Sequence, residues 1–249
     1  EFKTMFKSII PVIASLAIGV MGCSSNDAQR QDVPDISQSA LYNTALAAMA
    51  SNDYGTARKY LEALDSRYPF GELTDQVQLD LIYVYYKSRE SDLTSATINR
   101  YLRLNPGSMY ADYVPYMRGL NNIQKHSDMI QEFLRLDRAE KDPTYYYDAF
   151  KNFSDLIKTY PQSPYVKDAR QRMIFIKDQL AEREWHIAKY YDERGAWLSA
   201  IRHCQSILYS YRDTQYIGDA LKLMENCYRK LGLNIPADNT AKVIAASGL

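Results

Sequence analysis

One spacing pattern recurs along the chain and restricts its fold more than any other feature. A small residue is followed four and seven positions later by larger apolar residues, and twelve positions later by proline. The complete rule holds from Ala57, Thr94 and Ala149, and shorter copies begin at Ala200 and Ala237. Residues at these spacings share one face of an α-helix, and proline ends a helix. The pattern therefore predicts a helix that is repeated along the chain.

Each of these helices is preceded by the signals of a partner helix. An aromatic residue lies three positions before the small residue at Tyr54, Tyr146 and Trp197, and another small residue lies twelve positions before it at Ala45 and Ala188. Small residues allow two antiparallel helices to approach closely. The hairpins resemble tetratricopeptide repeats. We therefore predict an all-α chain, a right-handed superhelical array of about five tetratricopeptide-like helical hairpins.

The intervals between the repeats exceed the usual period of about 34 residues, and two insertions explain the excess. Residues 121–142 in the third repeat are polar and charged and end at a helix-start signal, Asp142-Pro143, so we expect a loop. The segment from Pro164 to Arg194 has no internal glycine or proline and predicts a long helix opening unit four, about 29 residues or 43 Å. The expected domains are N-terminal repeats 1–3 over 37–162 and C-terminal repeats 4–5 over 163–249.

The N-terminus has the layout of a targeting segment. Lys3 and Lys7 precede an apolar run that begins at Ile9 and continues to Gly22, interrupted by Pro11. A membrane-spanning helix needs about 20 predominantly apolar residues, so this run is too short to remain as an anchor. Residues 1–22 are therefore predicted to be a signal peptide.

The end of this segment, Val20-Met21-Gly22-Cys23, resembles the lipobox of bacterial lipoproteins. The resemblance implies cleavage before Cys23 and lipidation of Cys23, and Ser24 as the next residue favours the outer membrane. Several acyl chains anchor a protein stably to a bilayer. We expect residues 23–36 to be a lipidated flexible linker, with the repeats on the periplasmic side. The alternative is an ordinary signal peptide followed by an unmodified cysteine.

Charge and aromatic content indicate the kind of partner. Thirty basic residues balance thirty acidic ones, which argues against nucleic acid as the main partner. The chain has 22 tyrosines, and tyrosine offers a large apolar ring with a polar tip. Repeat arrays bind partners along the face formed by their first helices. The candidate residues for a peptide-binding groove on that face are Tyr42, Tyr83, Tyr86, Lys87 and Arg118. For Tyr83 and Tyr86, packing in the core is an open alternative.

Motifs of catalysis are missing from the sequence. It has no HExxH, GxSxG, P-loop or GxGxxG motif, and its three histidines have no metal-ligand spacing among themselves. His203 beside Cys204 could bind a metal, but Cys204 occupies a packing position of its repeat. We expect no metal site, no cofactor and no enzymatic activity. Cys204 and Cys227 could be two buried thiols or, in an oxidising compartment, a disulfide.

Several short strings are more specific than the repeat pattern. They are Tyr68-Pro69-Phe70-Gly71, residues 76–83, Arg103-Leu104-Asn105-Pro106, residues 116–120, residues 193–197 and residues 223–226. Together they resemble the BamD family, the repeat lipoproteins of the outer-membrane β-barrel assembly machine. The resemblance extends from about Leu41 to Ala246 and implies a lipid-anchored scaffold with five repeats and no catalysis of its own.

The partners implied by this resemblance are the POTRA domains of BamA, contacted by the C-terminal repeats, the accessory lipoproteins BamC and BamE, and unfolded outer-membrane proteins. Arg194, at the end of the predicted long helix, is the candidate interface residue for a POTRA carboxylate. A cation there also suits the helix C-terminus, so a purely structural role stays open. The other function considered is a periplasmic repeat lipoprotein that organises peptidoglycan enzymes, although residues 24–40 are too short and polar for the coiled-coil leader that would favour it.

Overall fold

The computed structural model describes residues 33–133 and 143–248, with residues 126–133 described by their backbone alone. These residues form ten helices and no strand. The helices are α1 (Gln38–Ala50), α2 (Tyr54–Arg67), α3 (Thr74–Lys87), α4 (Ser91–Leu104), α5 (Tyr113–Phe133), α6 (Thr144–Thr159), α7 (Val166–Glu193), α8 (Trp197–Ser210), α9 (Ile217–Lys230) and α10 (Asn234–Ser247). The signal peptide and Cys23 lie outside the described residues.

The helices form five successive hairpins, α1–α2 to α9–α10. Each helix packs mainly against the helices next to it in the chain, as expected for an array in which every repeat contacts only its neighbours. The all-α class and the repeated hairpins are thus confirmed. The right-handed superhelix stays a prediction.

The repeat register predicted from the sequence is also confirmed. Ala57, Thr94, Ala149, Ala200 and Ala237 all lie on second helices, and each is 0% exposed. In the first four of these helices, the residues four and seven positions later are also buried. Small side chains therefore mark the closest contacts of the hairpins, and larger side chains fill the space beside them.

Four hairpins are closed by the same backbone turn. Asn52, Arg89, Gly195 and Gly232 have φ angles of 60°, 61°, 73° and 72°. In each turn the amide of the next residue donates to a carbonyl five residues earlier, as from Ala196 to Tyr191 at 2.9 Å. This is the Schellman arrangement, whose left-handed position favours glycine. The long first helix of unit four is confirmed, because α7 spans 28 residues before its turn.

The expectation of a loop over residues 121–142 is wrong for residues 121–133, which continue α5. Asn121 is 1% exposed, and its amide donates to the carbonyl of Ser91 and to the hydroxyl of Ser95, each at 2.9 Å. Ile123, two residues further on, packs against the core. With no glycine or proline after Leu120 in the inserted segment, polar residues on the outer face of a helix do not end it. Residues 134–142 lie outside the described residues.

Two hydrophobic cores meet along α7. The central core joins α3 to α7 and contains large aromatic side chains, including Tyr101, Tyr146 and Phe153. The C-terminal core joins α7 to α9 around small or medium side chains, including Ala188, Cys204 and Cys227. The first part of α7 contributes Ala169, Ile176, Leu180 and Ala181 to the central core, whereas Ala188 belongs to the C-terminal core. A single helix therefore belongs to both packing units.

Candidate functional site

One face of α3 brings together much of the predicted groove. Gln76, Asp80, Tyr83 and Lys87 follow one another at intervals of four, three and four residues, so they form a stripe along the helix. We call these four residues the α3 stripe. Tyr42 of α1 donates its hydroxyl to the Asp80 carboxylate at 2.8 Å, and Gln76 donates its side-chain amide to the other oxygen at 3.0 Å. Hydrogen bonds thus fix the position of Asp80 between two first helices.

Aromatic rings surround the ammonium group at the end of this stripe. The Nζ of Lys87 lies 5.5 Å from the ring centroid of Tyr54 and 6.0 Å from that of Tyr83. The two rings meet edge to face, with centroids 6.2 Å apart. Lys87 is exposed and both tyrosines are half-buried. A cation above ring faces can attract a carboxylate while the rings remain available for apolar groups.

The protonation states of the first hydrogen bond follow from burial. Burial raises the pKa of Asp80, although the hydrogen bonds from Tyr42 and Gln76 act in the opposite direction. Burial, followed by the contact with Asp80, raises the pKa of Tyr42 far above its ordinary value. Tyr42 therefore keeps its proton at neutral pH and acts as the donor of this bond.

The remaining two groove candidates point elsewhere. Tyr86 is half-buried and packs against the central core, so the core alternative describes it better than the groove does. Arg118 of α5 donates to the side-chain oxygen of Asn99 on α4 at 2.7 Å, which directs its guanidinium toward a second helix and not along the α3 stripe. The structure therefore brings together Tyr42, Tyr83 and Lys87 but places Tyr86 and Arg118 outside their shared face.

Sequence reasoning missed a second group of polar and aromatic residues on α5 and α7. Tyr116 donates its hydroxyl to Asp168 at 2.8 Å, and Asp168 also pairs with Arg172. The Tyr116 ring stacks on Tyr165 with centroids 4.6 Å apart. Burial, together with the bond to Asp168, raises the pKa of Tyr116 to about 12. This bond joins two first helices, as the bond from Tyr42 to Asp80 does.

Tyr113 connects these two groups. Its pKa lies far above the ordinary tyrosine value, first because it is buried and then because Tyr165, Asp80 and Tyr83 lie near it. Its ring centroid is 5.8 Å from that of Tyr165. The first helices α1, α3 and α5 and the start of α7 therefore carry two neighbouring groups of tyrosine side chains, with Tyr113 in direct ring contact with the second group. The high tyrosine content of the sequence is consistent with these groups, but it does not predict which side chains each tyrosine contacts.

The second predicted site, Arg194, caps the end of α7. Its side chain is exposed and folds back over its own helix, with the guanidinium carbon 3.5 Å from the ring centroid of Tyr190. The guanidinium also donates to the Tyr190 carbonyl at 3.4 Å. Within the described residues it has no carboxylate partner. The group is therefore held at the surface by a ring and a carbonyl, and its charge is available to a partner.

Cys204 and Cys227 are free, buried thiols in the structure. Burial raises the pKa of both to about 12, so both stay protonated at neutral pH. His203 is adjacent to Cys204 in sequence, but its Nδ1 is hydrogen-bonded to the Glu184 carboxylate at 2.8 Å and its ring stacks on that of Tyr191. These contacts give His203 a packing role.

The part of the chain that the structure describes contains neither a metal-binding cluster nor a membrane-spanning helix. No group of three or more histidine, cysteine, aspartate or glutamate side chains there could hold a metal ion. None of the helices described above is both long and apolar enough to cross a membrane.

Comparison with known proteins identifies the family. The profile of the family YfiO, described as an outer membrane lipoprotein, matches residues 34–243. The chain belongs to this family. It is 40% identical over 235 residues to outer membrane protein assembly factor BamD of Vibrio cholerae serotype O1, which covers 94% of this chain and 96% of that protein. Proteins of the same name from Pasteurella multocida and Neisseria meningitidis serogroup A are 37% and 34% identical, each covering 94% of this chain and 89% of the relative.

These matches confirm the family resemblance that rested on short strings. They cover the five hairpins as well as the residues between them. The relatives are named as assembly factors and not as enzymes, in agreement with the expectation of a chain without catalytic activity of its own. Homology therefore indicates an outer-membrane protein assembly factor.

Proposed function

We propose that the protein is a non-enzymatic scaffold of outer-membrane β-barrel assembly, held on the periplasmic side of the outer membrane by lipid on Cys23. The observation that carries this proposal is the similarity to assembly factors over nearly the whole chain. The all-helical repeat array supports it, because such arrays offer extended surfaces for several partners. The anchor would keep these surfaces close to the membrane in which the barrels are assembled.

We assign the capture of unfolded barrel proteins to the α3 stripe and its neighbours. Their C-terminal segments combine aromatic side chains with a carboxylate. Tyr54 and Tyr83 offer ring surfaces for the apolar groups, and the exposed Lys87 ammonium lies 5.5 Å and 6.0 Å from the two ring centroids. The nearby Asp80 carboxylate would repel the terminal carboxylate, so we place the end of the peptide at Lys87. Such an exposed site favours weak binding that depends on salt.

The C-terminal hairpins would bind the assembly machine itself. Arg194 can form two parallel hydrogen bonds with a carboxylate of a POTRA domain of BamA, a geometry that lysine does not reproduce. The ring of Tyr190 holds the guanidinium at the surface, which lowers the cost of ordering it on binding. The lipoproteins BamC and BamE would use other parts of the array.

A peptide titration tests the capture site. A labelled peptide with the aromatic-rich C-terminal sequence of a barrel protein is titrated against residues 24–249. We expect a dissociation constant of roughly micromolar or weaker, and weaker binding to Tyr83→Ala and Lys87→Glu. Amidation of the peptide terminus should weaken binding to the unchanged protein but have little further effect on Lys87→Glu. This non-additivity would show that Lys87 and the carboxylate interact.

Two controls make the capture test specific. Lys189→Glu introduces the same charge change at another exposed position, on α7, and should leave the affinity unchanged. A scrambled peptide keeps the composition but changes the order of its residues. Equal affinity for the scrambled peptide, or full binding by Tyr83→Ala and Lys87→Glu, would contradict the assignment.

The anchor is tested separately by Cys23→Ser. The altered protein should fold but no longer sediment with membranes after a salt wash, because lipid on Cys23 is the proposed attachment. Washed and unwashed fractions are compared, since binding to a membrane-bound partner would survive only the gentler treatment. Full retention of Cys23→Ser in washed membranes would contradict lipid anchoring.

A further inference from the structure

An open cleft of about 380 Å³ lies between α6 and α7, away from both sites described above. Phe150 and Ile157 of α6 and Met173 and Ile174 of α7 form its apolar floor. Ile174 is 57% exposed, a large exposed fraction for an isoleucine in the middle of a helix. Apolar side chains from two neighbouring helices thus form a trough that is open to solvent.

The cleft continues along α7 toward α8. A second hollow of about 280 Å³ shares Phe150 and Lys177 with the first and adds Leu180 on α7 and Tyr211 after α8. The hydroxyls of Tyr147 and Tyr211 lie 3.3 Å apart. The start of α6 and the end of α8 therefore meet beside α7, and the apolar surface extends over more than one helical turn.

The charges around the first hollow have one sign. Lys158, Arg170 and Lys177 line it, and no acidic side chain of the described residues does. Lys177 pairs with Asp213 at 2.7 Å. Lys158 and Arg170 are exposed and have no ionic partner among the described residues. The cleft therefore presents an apolar floor with two uncompensated positive charges at its rim.

We propose that this cleft binds an acidic amphipathic helix of a partner protein. Apolar side chains at positions i, i+3, i+4 and i+7 of such a helix would fill the floor, and glutamate or aspartate beside them would face Lys158 and Arg170. An extended segment fits less well, because α6 and α7 satisfy their own backbone groups and offer no strand edge to pair with its amides. This inference does not depend on the α3 stripe or on Arg194.

The proposed binding of an acidic amphipathic helix is tested with a synthetic peptide. An 18-residue labelled peptide carries leucine on one helical face and glutamate on both flanks of that face, and it is titrated against residues 24–249. Ile174→Glu should weaken binding about tenfold or more, because it places a charge on the apolar floor. Joint replacement Lys158→Glu and Arg170→Glu should weaken it by several-fold and reduce its dependence on salt.

Matched variants and peptides make the result decisive. Leu198→Glu changes a residue that is 62% exposed on α8, outside the cleft, and should bind the probe like the unchanged protein. Tyr83→Ala should also bind it normally, which separates this proposal from the capture site. A peptide with lysine flanks should bind more weakly, and so should one with a central proline that prevents a helix.

Several outcomes would overturn the proposal. They are absence of binding up to about 1 mM, equal binding by Ile174→Glu in folded protein, equal binding of the lysine-flanked peptide, and equal binding of the proline peptide. The last outcome would mean that the cleft accepts an extended segment. Circular dichroism of each variant establishes that it is folded before its affinity is compared.

Discussion

The central and C-terminal cores both pack neighbouring helices closely, but they do so with side chains of different size. In the central core, Phe153 and Tyr101 are completely buried, and the Tyr101 hydroxyl finds a partner in Ser108 at 2.6 Å. Space for Phe153 exists because Gly119 of α5 has no side chain. The C-terminal core brings its helices together around Ala188, Ala200 and the two thiols. The ring of Phe153 thus requires a glycine in the facing helix, whereas small residues on both sides of the C-terminal core do not.

The largest expected effect is that of Gly119→Ala in the central core. A Cβ added to Gly119 would lie 2.5 Å from Cε1 of Phe153, so ring or helix must move. We expect the free energy of unfolding to fall by about 1–3 kcal/mol, even though alanine favours helices. Urea unfolding measures the change. Gly107→Ala is the control, because an added Cβ there meets no atom within 4 Å.

A second substitution decides whether this contact causes the loss. Adding Phe153→Leu should cost less in the Gly119→Ala protein than in the unchanged protein, since the smaller side chain relieves the clash. Additive effects of the two substitutions would contradict the packing explanation.

An effect confined to high pH is expected from the two thiols of the C-terminal core. Their pKa values are raised from the ordinary 9.0 to about 12, so the unfolded chain loses these protons first as the pH rises. The free energy of unfolding should therefore fall above pH 9, by at most about 1.4 kcal/mol per pH unit for each thiol. Urea unfolding at several pH values measures the slope. The double variant Cys204→Ala and Cys227→Ala keeps the tyrosines and should show a shallower slope; an identical slope would contradict the prediction.

Substitutions in two hairpin turns should differ in their effect on stability by up to about 1 kcal/mol. Gly232→Ala places a Cβ at a φ of 72° in the last hairpin and should destabilise the protein by about 1 kcal/mol. Asn52→Gly, in the first hairpin, should have a smaller effect, because asparagine and glycine both tolerate this conformation and the substitution removes only the exposed hydrogen bond that the Tyr54 hydroxyl donates to the Asn52 side chain. Thermal unfolding distinguishes the two results. A loss of stability in Asn52→Gly as large as that in Gly232→Ala would contradict the argument from backbone conformation.

A small effect on stability is expected for Arg194→Ala. The side chain is exposed, and its contacts with Tyr190 lie within the same helix end. We expect a loss of about 0.3–1 kcal/mol from the helix terminus, with a much larger relative loss of binding to a POTRA domain. Arg194→Lys keeps the charge and should restore stability but not full binding. Parallel loss of stability and binding in both variants would indicate a structural role only.

The repeat register could be read from the sequence because each hairpin imposes the same local requirement. The small residues at Ala57, Ala149 and Ala200 identify the second helices wherever they occur. Gly119 was not recognised, since the insertion separates it from Ala149 by more than the usual twelve residues. The loop expected over 121–142 is wrong at 121–133 for a different reason: a polar composition does not end a helix, and residues 121–133 contain no glycine or proline.

The candidate site was predictable only where it depends on one helix. Tyr83 and Lys87 lie one turn apart on α3, so their spacing placed them together. Tyr54 comes from the packing of α2 against α3, and the bond from Tyr42 to Asp80 comes from the packing of α1 against α3. Spacing within a helix determines neither contact. Arg118 instead bonds to Asn99 of α4, and the rotation of α5 about its axis, which determines this partner, does not follow from the repeat pattern.

The length of α7 has a consequence for how the array unfolds. In a regular repeat array, neighbouring units can separate at any boundary, and the ends fray before the middle. Here the boundary between units three and four is crossed by a single 28-residue helix that serves both cores. Opening either core exposes part of that helix and removes support from the other. We therefore expect the two cores to unfold cooperatively, because α7 contributes side chains to both.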